Sequence, residues 1–167
     1  MILGHRSEEI AENLEGSGAE IVVNPRYPEG MLTSVQAGVA AAPRDTEWFL
    51  VALGDQPSLQ PATVERLLAE AVPGCPAILV PSYGGRRGHP LLLHASYRDE
   101  IGSLDGAVGL RELLLRHPDA VRHVELPEEE VLYDMDTPED YQRELRRLAE
   151  RIGLSAGMPT LDEGEDS

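Results

Sequence analysis

Short runs of apolar residues alternate with longer amphipathic stretches along this chain. The longest run covers residues 48–53 and reads Trp-Phe-Leu-Val-Ala-Leu, with no polar position inside it. This pattern predicts a strand that is buried on both faces, as in parallel sheets. Other stretches space their apolar residues three or four apart, as in residues 61–72, and that period predicts helices with one buried face.

The predicted strands and helices follow one another in alternation. Strands are predicted at residues 1–3, 21–23, 48–53, 77–80, 91–93 and 121–126, and helices at 7–14, 33–42, 61–72, 108–116 and 138–152. Such alternation predicts an α/β fold with a largely parallel sheet and helices on both faces. Apolar residues thin out after residue 152, so we expect one domain over residues 1–152 and a disordered acidic tail over 153–167.

The formal charge excludes some classes of partner, and the cysteine content indicates the redox compartment. The chain has 14 basic residues, all of them arginine, against 30 acidic ones, which gives a net charge of −16. Nucleic acids and anionic membranes bind positive surfaces, so neither is an expected partner. The single cysteine, Cys75, excludes an internal disulfide and suits a reducing compartment. Because no apolar run is long enough to span a membrane, we expect a cytoplasmic protein.

The apolar run at residues 48–53 ends abruptly at Gly54, Asp55, Gln56 and Pro57. Glycine permits a sharp turn and proline stops the strand, which leaves the Asp55 carboxylate at the C-terminal end of the strand. Open α/β sheets bind ligands at that edge, and a carboxylate there can hold a divalent cation against phosphates. Aspartate is also favoured as the cap of a turn or helix, so both interpretations of Asp55 stay open.

A second candidate segment runs from Asn24 to Ser34. It leaves a predicted strand, passes through Gly30 and enters a predicted helix that begins with Thr33 and Ser34. The free N–H groups at a helix N-terminus suit a phosphate or the polar edge of a base or sugar. The alternative is that the two hydroxyls simply cap the helix, which leaves the glycine and the long polar approach unexplained.

A third candidate segment runs from Tyr83 to Pro90 and is rich in glycine and arginine. Arg86 and Arg87 stand beside flexible glycines, which favours an anion site in a chain otherwise short of positive charge. His89 has two interpretations: it donates to a phosphate or transfers a proton, or it is a hydrogen-bonded structural residue.

Two further carboxylates, Asp134 and Asp136, precede the helix start Thr-Pro-Glu-Asp. In an extended segment both would lie on one face. Asp136 could serve as the N-cap of the following helix. Together with Asp55 it could also bind a Mg²⁺ ion that bridges nucleotide phosphates, and the pairing of two acidic turns favours this second role.

These motifs occur in an order that resembles a known family. They are Leu-Gly-His-Arg, then Val-Val-Asn-Pro with Gly-Met and Ser following, Leu-Gly-Asp-Gln-Pro, Tyr-Gly-Gly-Arg-Arg-Gly-His-Pro and Asp-Met-Asp-Thr-Pro-Glu-Asp. Over residues 2–148 the chain resembles the MobA-like nucleotidyltransferases, most closely their molybdenum cofactor cytidylyltransferase branch. The resemblance implies a Rossmann-like α/β fold and the transfer of CMP from CTP to molybdopterin, with Mg²⁺ and release of pyrophosphate.

The resemblance also implies roles for individual residues. Asp55 matches the metal-binding aspartate of the family and Asp136 its second acidic position, so both are expected to act in catalysis as Mg²⁺ ligands. Contacts to the nucleoside are implied for Asn24, Gly30, Thr33 and Ser34. Contacts to the acceptor, in particular the pterin phosphate, are implied for Tyr83, Arg86, Gly88, His89 and Pro90.

The sequence departs from the family pattern at its start. The family opens with a strand and a glycine-rich loop, Leu-Ala-Ala-Gly-x-Ser-x-Arg-Met-Gly, followed by a lysine, and these hold the triphosphate. This sequence has no counterpart of that first strand and loop and contains no lysine, so we expect a groove or an exposed edge in the sheet. Two other functions stay open: an inactive homologue that acts as a binding module, and a relative that uses another nucleotide or acceptor.

Overall fold

The computed structural model describes residues 1–106 and 108–153. Its strands are β1 (Ile2–Leu3), β2 (Val22–Val23), β3 (Trp48–Val51), β4 (Ile78–Tyr83), β5 (Arg86–Arg87), β6 (Leu91–His94) and β7 (Val121–Glu125). Its helices are α1 (Ser7–Asn13), α2 (Met31–Ala41), α3 (Pro61–Ala69), α4 (Arg98–Ser103), α5 (Arg111–Arg116) and α6 (Pro138–Arg151).

The larger sheet is built around β4. One edge of β4 pairs in parallel with β7. The other edge pairs antiparallel with β6, which in turn pairs antiparallel with β3. The short strand β5 pairs antiparallel with the C-terminal end of β4. The order is therefore β3-β6-β4-β7, with β6 running against the other three strands.

This topology confirms the α/β class and corrects the expected strand directions, because the sheet is mixed rather than largely parallel. Parallel neighbours need a crossover of about a dozen residues or more, usually a helix. Only residues 84–90 connect β4 to β6, and they contain no helix. The chain therefore folds back directly, and β6 must run antiparallel to β4.

Strand β4 is buried on both faces, which explains its uninterrupted apolar start. Ile78 and Val80 pack in a cluster with residues of α2, α4 and α5. Leu79 packs on the opposite face with Leu67 of α3. Helices therefore cover both faces of the larger sheet, as the sequence predicts.

Strands β1 and β2 form a separate two-stranded parallel sheet. Within the described ranges, no strand pairing joins it to the larger sheet. Helix α2 bridges the two: a Cβ built on Gly38 would lie 3.2 Å from Cγ1 of Ile2, and Val39 belongs to the cluster that contains Phe49 of β3. Packing on α2 therefore links the two sheets within the described ranges.

Several element boundaries differ from the prediction. Strand β5 and helix α4 lie where the sequence predicts no regular structure, and the helix predicted at 108–116 begins only at Arg111. Helix α2 begins at Met31, so Thr33 and Ser34 lie inside its first turn. None of the described helices is long and apolar enough to cross a membrane. Apart from Gly153, the predicted acidic tail lies outside the described residues.

Candidate functional site

The loop after β3 carries Asp55 and meets the segment that precedes α6. The backbone N–H of Met135 donates to the carbonyl oxygen of Asp55 at 3.0 Å. This contact places both Asp134 and Asp136 next to the Asp55 loop. Oδ1 of Asp55 is buried and has no hydrogen-bond partner among the described residues. A turn cap would accept a backbone N–H, so the bare oxygen favours a ligand role for Asp55.

Asp134 and Asp136 have different partners. Gln56, only 5% exposed, donates from Nε2 to Oδ1 of Asp134 at 2.8 Å. The backbone N–H of Asp136 donates to Oδ2 of Asp140 at 3.2 Å. The N-cap of α6 is Thr137, which forms a capping box with Asp140. Asp136 is therefore not the N-cap, and its role as the second metal ligand stays a prediction.

Helix α6 fixes the loop that follows Asp55. Glu144 of α6, buried in the packing, accepts a hydrogen bond from the Ser58 hydroxyl and is paired with Arg147 at 2.6 Å. The Arg147 guanidinium lies 4.0 Å above the ring centroid of Tyr133. A buried carboxylate needs such partners because isolated burial of a charge is costly. These contacts attach the loop after Asp55 and the segment before α6 to the same helix.

The donor set at Asp55 fits a hard divalent cation, which prefers carboxylate oxygens. Among residues 1–106 and 108–153, no group of three or more His, Cys, Asp and Glu side chains is arranged to hold a metal. A cation at this place would therefore be held by one or two carboxylates and complete its shell with substrate phosphates and water, as Mg²⁺ commonly does.

His89 lies beside these carboxylates. Its backbone N–H donates to the carbonyl oxygen of Val131 at 2.9 Å. Burial lowers the pKa of the imidazole below its ordinary value, and the carboxylates of Asp134 and Asp55 oppose that shift. The lowered pKa keeps His89 neutral at pH 7, so one ring nitrogen is free to accept a proton or a hydrogen bond.

The segment from Tyr83 to Pro90 is a hairpin followed by a tightly packed turn. Tyr83 pairs with Arg86 across the two-residue loop Gly84-Gly85, and Arg86 is exposed. The backbone N–H of Gly88 donates to the carbonyl oxygen of Pro81 at 2.8 Å. A Cβ at Gly88 would lie 2.1 Å from the carbonyl oxygen of Val131, so only glycine fits there. Pro90 is buried and follows a cis peptide bond.

The Asn24 segment forms a second group around the start of α2. Asn24, 3% exposed, donates from Nδ2 to the hydroxyls of Thr33 at 2.8 Å and Ser34 at 3.0 Å. Its Oδ1 accepts the backbone N–H of Arg26 at 3.0 Å. Gly30, at φ +115°, is the N-cap of α2 and provides no side chain for the role. These bonds order the loop from β2 to α2, and direct contacts to a nucleoside stay a prediction.

A polar pocket of about 440 Å³ opens beside this group. Gln36 of α2 borders it and donates to the carbonyl oxygens of Ile101 and Leu104, each at 3.1 Å. These bonds fix the opposite wall against α2. The residues that line the pocket are Arg26, Glu29, Leu32, Thr33, Gln36, Leu104, Asp105 and Gly106.

The structure thus brings together Asp55, the 134–136 segment and His89, and it holds Asn24, Thr33 and Ser34 in a separate group near α2. Sequence reasoning did not select Gln56, although a polar residue inside a motif that ends a buried strand is a usable signal. It also missed Glu125, which contacts the Tyr83–Arg86 hairpin. No local pattern marks Glu125, because its position depends on the pairing of β4 with β7.

A layered α/β fold with a carboxylate just after a strand places that group where such folds bind ligands, and there it can hold a divalent cation against phosphates. Residues 1–121 match the model of the MobA-like NTP transferase domain. The chain belongs to this family of nucleotidyltransferases.

Among similar proteins are two curated relatives, which have different functional names, and one solved structure. The chain is 34% identical to nicotine blue oxidoreductase of Paenarthrobacter nicotinovorans over 86% of its own length and 72% of the relative's. It is 28% identical to molybdenum cofactor cytidylyltransferase of Escherichia coli K12, over 90% and 75% of the two chains. The crystal structure of Rv0371C of Mycobacterium tuberculosis in complex with manganese has a TM-score of 0.71 and 27% identity, over 87% and 76% of the chains.

Proposed function

We propose that this protein transfers CMP from CTP to a molybdopterin-type acceptor in a Mg²⁺-dependent reaction that releases pyrophosphate. In this reaction an acceptor phosphate oxygen forms a bond to the α-phosphorus of CTP, and the bond from that phosphorus to the bridging oxygen of the β-phosphate breaks. The observation that carries the proposal is the buried Oδ1 of Asp55, which lies beside the 134–136 segment and has no hydrogen-bond partner within residues 1–106 and 108–153.

The chain's own residues would contribute mainly position and charge. Asp55 and Asp136 would hold Mg²⁺, which supplies neutralisation of the charge that develops on the phosphates. The pocket beside Thr33 would take the nucleoside, with Asn24, Gly30 and Ser34 shaping its approach. Arg86 would bind the acceptor phosphate, and neutral His89 would accept a hydrogen bond beside it.

A second candidate reaction follows from one of the similar proteins. Its name, nicotine blue oxidoreductase, describes a redox reaction. The 34% identity to that protein exceeds the 28% identity to the cytidylyltransferase. Oxidation or reduction of a compound related to nicotine blue is therefore the alternative to transfer of a nucleotide.

The experiment incubates the protein with molybdopterin, Mg²⁺ and each of the four nucleoside triphosphates in turn, and measures pyrophosphate and the dinucleotide product. Release with CTP, and far less with the others, is expected. No release with CTP would defeat the cytidylyl assignment. A parallel assay supplies a nicotinamide electron donor and follows the reduction of nicotine blue, and turnover there without pyrophosphate release would favour the redox alternative.

Asp55→Asn tests the metal role directly. It keeps the shape of the side chain and removes its charge, so we expect a loss of transfer activity of about 10²–10³-fold with little change in the free energy of unfolding. Mn²⁺ titration of the protein without substrate should show weaker binding in the same variant. The control is Asp45→Asn, which removes an exposed charge in the turn before β3. Equal activity of Asp55→Asn and Asp45→Asn would mean that Asp55 is only a turn residue.

A further inference from the structure

The hairpin that carries Arg86 is fastened by a carboxylate from a different part of the chain. Strands β4 and β7 pair in parallel with Ser82 opposite Glu125, and the backbone N–H of Leu126 donates to the carbonyl oxygen of Ser82 at 2.8 Å. This register places the Glu125 side chain at the base of the hairpin, 43 residues from Ser82 in sequence.

Both carboxylate oxygens of Glu125 are used. Oε2 accepts from the buried Ser82 hydroxyl at 2.7 Å, and Oε1 accepts from the backbone N–H of Gly84 at 2.7 Å. These bonds and the nearby backbone of Gly85 lower the pKa of Glu125, with the Ser82 bond as the largest cause. The carboxylate therefore stays ionised at neutral pH and holds the turn with charge-assisted bonds.

The turn itself does not require this contact. Gly84 and Gly85 have φ values of +56° and +76°, which is the conformation of a tight two-residue hairpin loop. Consecutive N–H groups in such a loop form a concave site for an anion. Glu125 fills that site, so a bound phosphate is left to the exposed guanidinium of Arg86 rather than to the turn.

The far end of the hairpin is fixed by another element. Gly88 packs against Val131, and the backbone N–H of His89 donates to the Val131 carbonyl oxygen. The hairpin is thus held at its turn by Glu125 and at its exit by Val131. Between these two points lie Tyr83 and Arg86.

We propose that Glu125 is a positioning residue that sets the direction of the Tyr83–Arg86 hairpin and thereby the binding of the anionic acceptor. The inference rests on the proposed function, in which this hairpin receives the acceptor phosphate. Glu125 touches no reacting atom. It acts through Ser82 and the backbone of Gly84 and Gly85.

The test compares Glu125→Gln with wild type in KM for molybdopterin, KM for CTP and kcat. Glutamine keeps the shape but loses the charge. Its amide nitrogen can donate to the Ser82 hydroxyl oxygen, so the bonds to Ser82 and Gly84 persist in a weaker, uncharged form. We expect the KM for molybdopterin to rise about tenfold, while the KM for CTP and kcat at saturating acceptor change less than about twofold. Amide hydrogen exchange should show faster exchange at Gly84 in the variant.

Two further variants keep the result interpretable. Glu70→Gln removes one exposed charge at the end of α3 and should leave every parameter unchanged. Ser82→Ala removes the hydroxyl that donates to Oε2 of Glu125. In the double variant with Glu125→Gln the rise in KM should be smaller than the product of the two single effects, because both changes weaken the same contact between Ser82 and Glu125.

Each outcome decides the proposal. An unchanged KM for molybdopterin in Glu125→Gln would overturn it, whether or not exchange at Gly84 is faster, since the acceptor would then bind independently of this carboxylate. Equal rises in both KM values would show general damage to the fold and would also overturn it. Absence of pyrophosphate release by wild type would instead sink the proposed function. In that case direct fluorescence titration with molybdopterin tests Glu125, and equal affinities of variant and wild type, or no binding to either, would overturn the positioning role.

Discussion

Gly88 is the most tightly enclosed glycine among the described residues. A Cβ at this position would lie 2.1 Å from the carbonyl oxygen and 2.7 Å from the carbonyl carbon of Val131. We expect Gly88→Ala to push the hairpin exit away from Val131 and to break the bond from the His89 N–H. The free energy of unfolding should fall by about 1–3 kcal/mol, measured by denaturant titration.

Gly102 provides the matched control for that substitution. It lies inside α4, and a Cβ there meets nothing within 4 Å. Gly102→Ala should therefore leave stability unchanged or raise it by up to about 1 kcal/mol, because alanine is the better helix former. If both variants lost the same stability, the close packing of Gly88 on Val131 would be wrong.

The sequence predicts the position of some site residues in the fold but not the long-range contacts of others. Asp55 is predicted because a buried strand, a glycine and a proline fix its place at the end of a strand. Gln56 bonds to Asp134 across 78 residues of sequence. That bond requires the loop after β3 to meet the segment before α6, and this meeting is decided by the packing of α6 rather than by any local pattern.

At the scale of elements, α6 begins with a strong local signal. The Thr137 hydroxyl accepts the backbone N–H of Asp140 at 3.2 Å, and Oδ2 of Asp140 accepts the backbone N–H of Thr137 at 3.0 Å. Thr137→Ala removes one half of this capping box. We expect it to lower the free energy of unfolding by about 1 kcal/mol, measured by thermal or denaturant unfolding.

Thr46→Ala is the corresponding control, since Thr46 lies in the loop before β3 and caps no helix. Its stability should stay within about 0.5 kcal/mol of wild type. A loss in Thr46→Ala as large as that in Thr137→Ala would show that the capping bonds add nothing to α6.

The sequence predicts helices and strands correctly where their apolar residues keep a regular spacing, and it fails where the chain reverses direction. The buried strand β4 and the amphipathic helix α3 follow directly from their apolar spacing. Strand β5 consists of two exposed arginines, Arg86 and Arg87, so it has no apolar signature. Its pairing with β4 comes from the conformation of Gly84 and Gly85, and the same reversal makes β6 antiparallel.

At the scale of the whole molecule, the division into two sheets predicts two levels of stability. The β1–β2 sheet has only two residue pairs and is bridged to the rest by α2. Its backbone bonds include Val22 N–H to Met1 and Asn24 N–H to Leu3. We expect these amides to exchange with solvent through local opening, faster than the amides of Leu79 and Leu92 in the larger sheet.

Hydrogen exchange followed by NMR checks this expectation without any variant. The β4–β6 pairs contain fully buried residues and serve as the internal reference. Protection of Val22 equal to that of Leu79 would mean that both sheets open only in global unfolding, and that α2 joins them into one cooperative unit.

The bridge formed by α2 has a consequence for ligand affinity. A nucleotide that contacts both the Asn24 group and the Asp55 loop can bind only those molecules in which the β1–β2 sheet is docked. Its apparent dissociation constant then equals the intrinsic constant divided by the docked fraction. Part of the binding free energy would be used to hold the small sheet in place. The measured affinity for nucleotide would therefore depend on the docking of the β1–β2 sheet as well as on the contacts in the pocket.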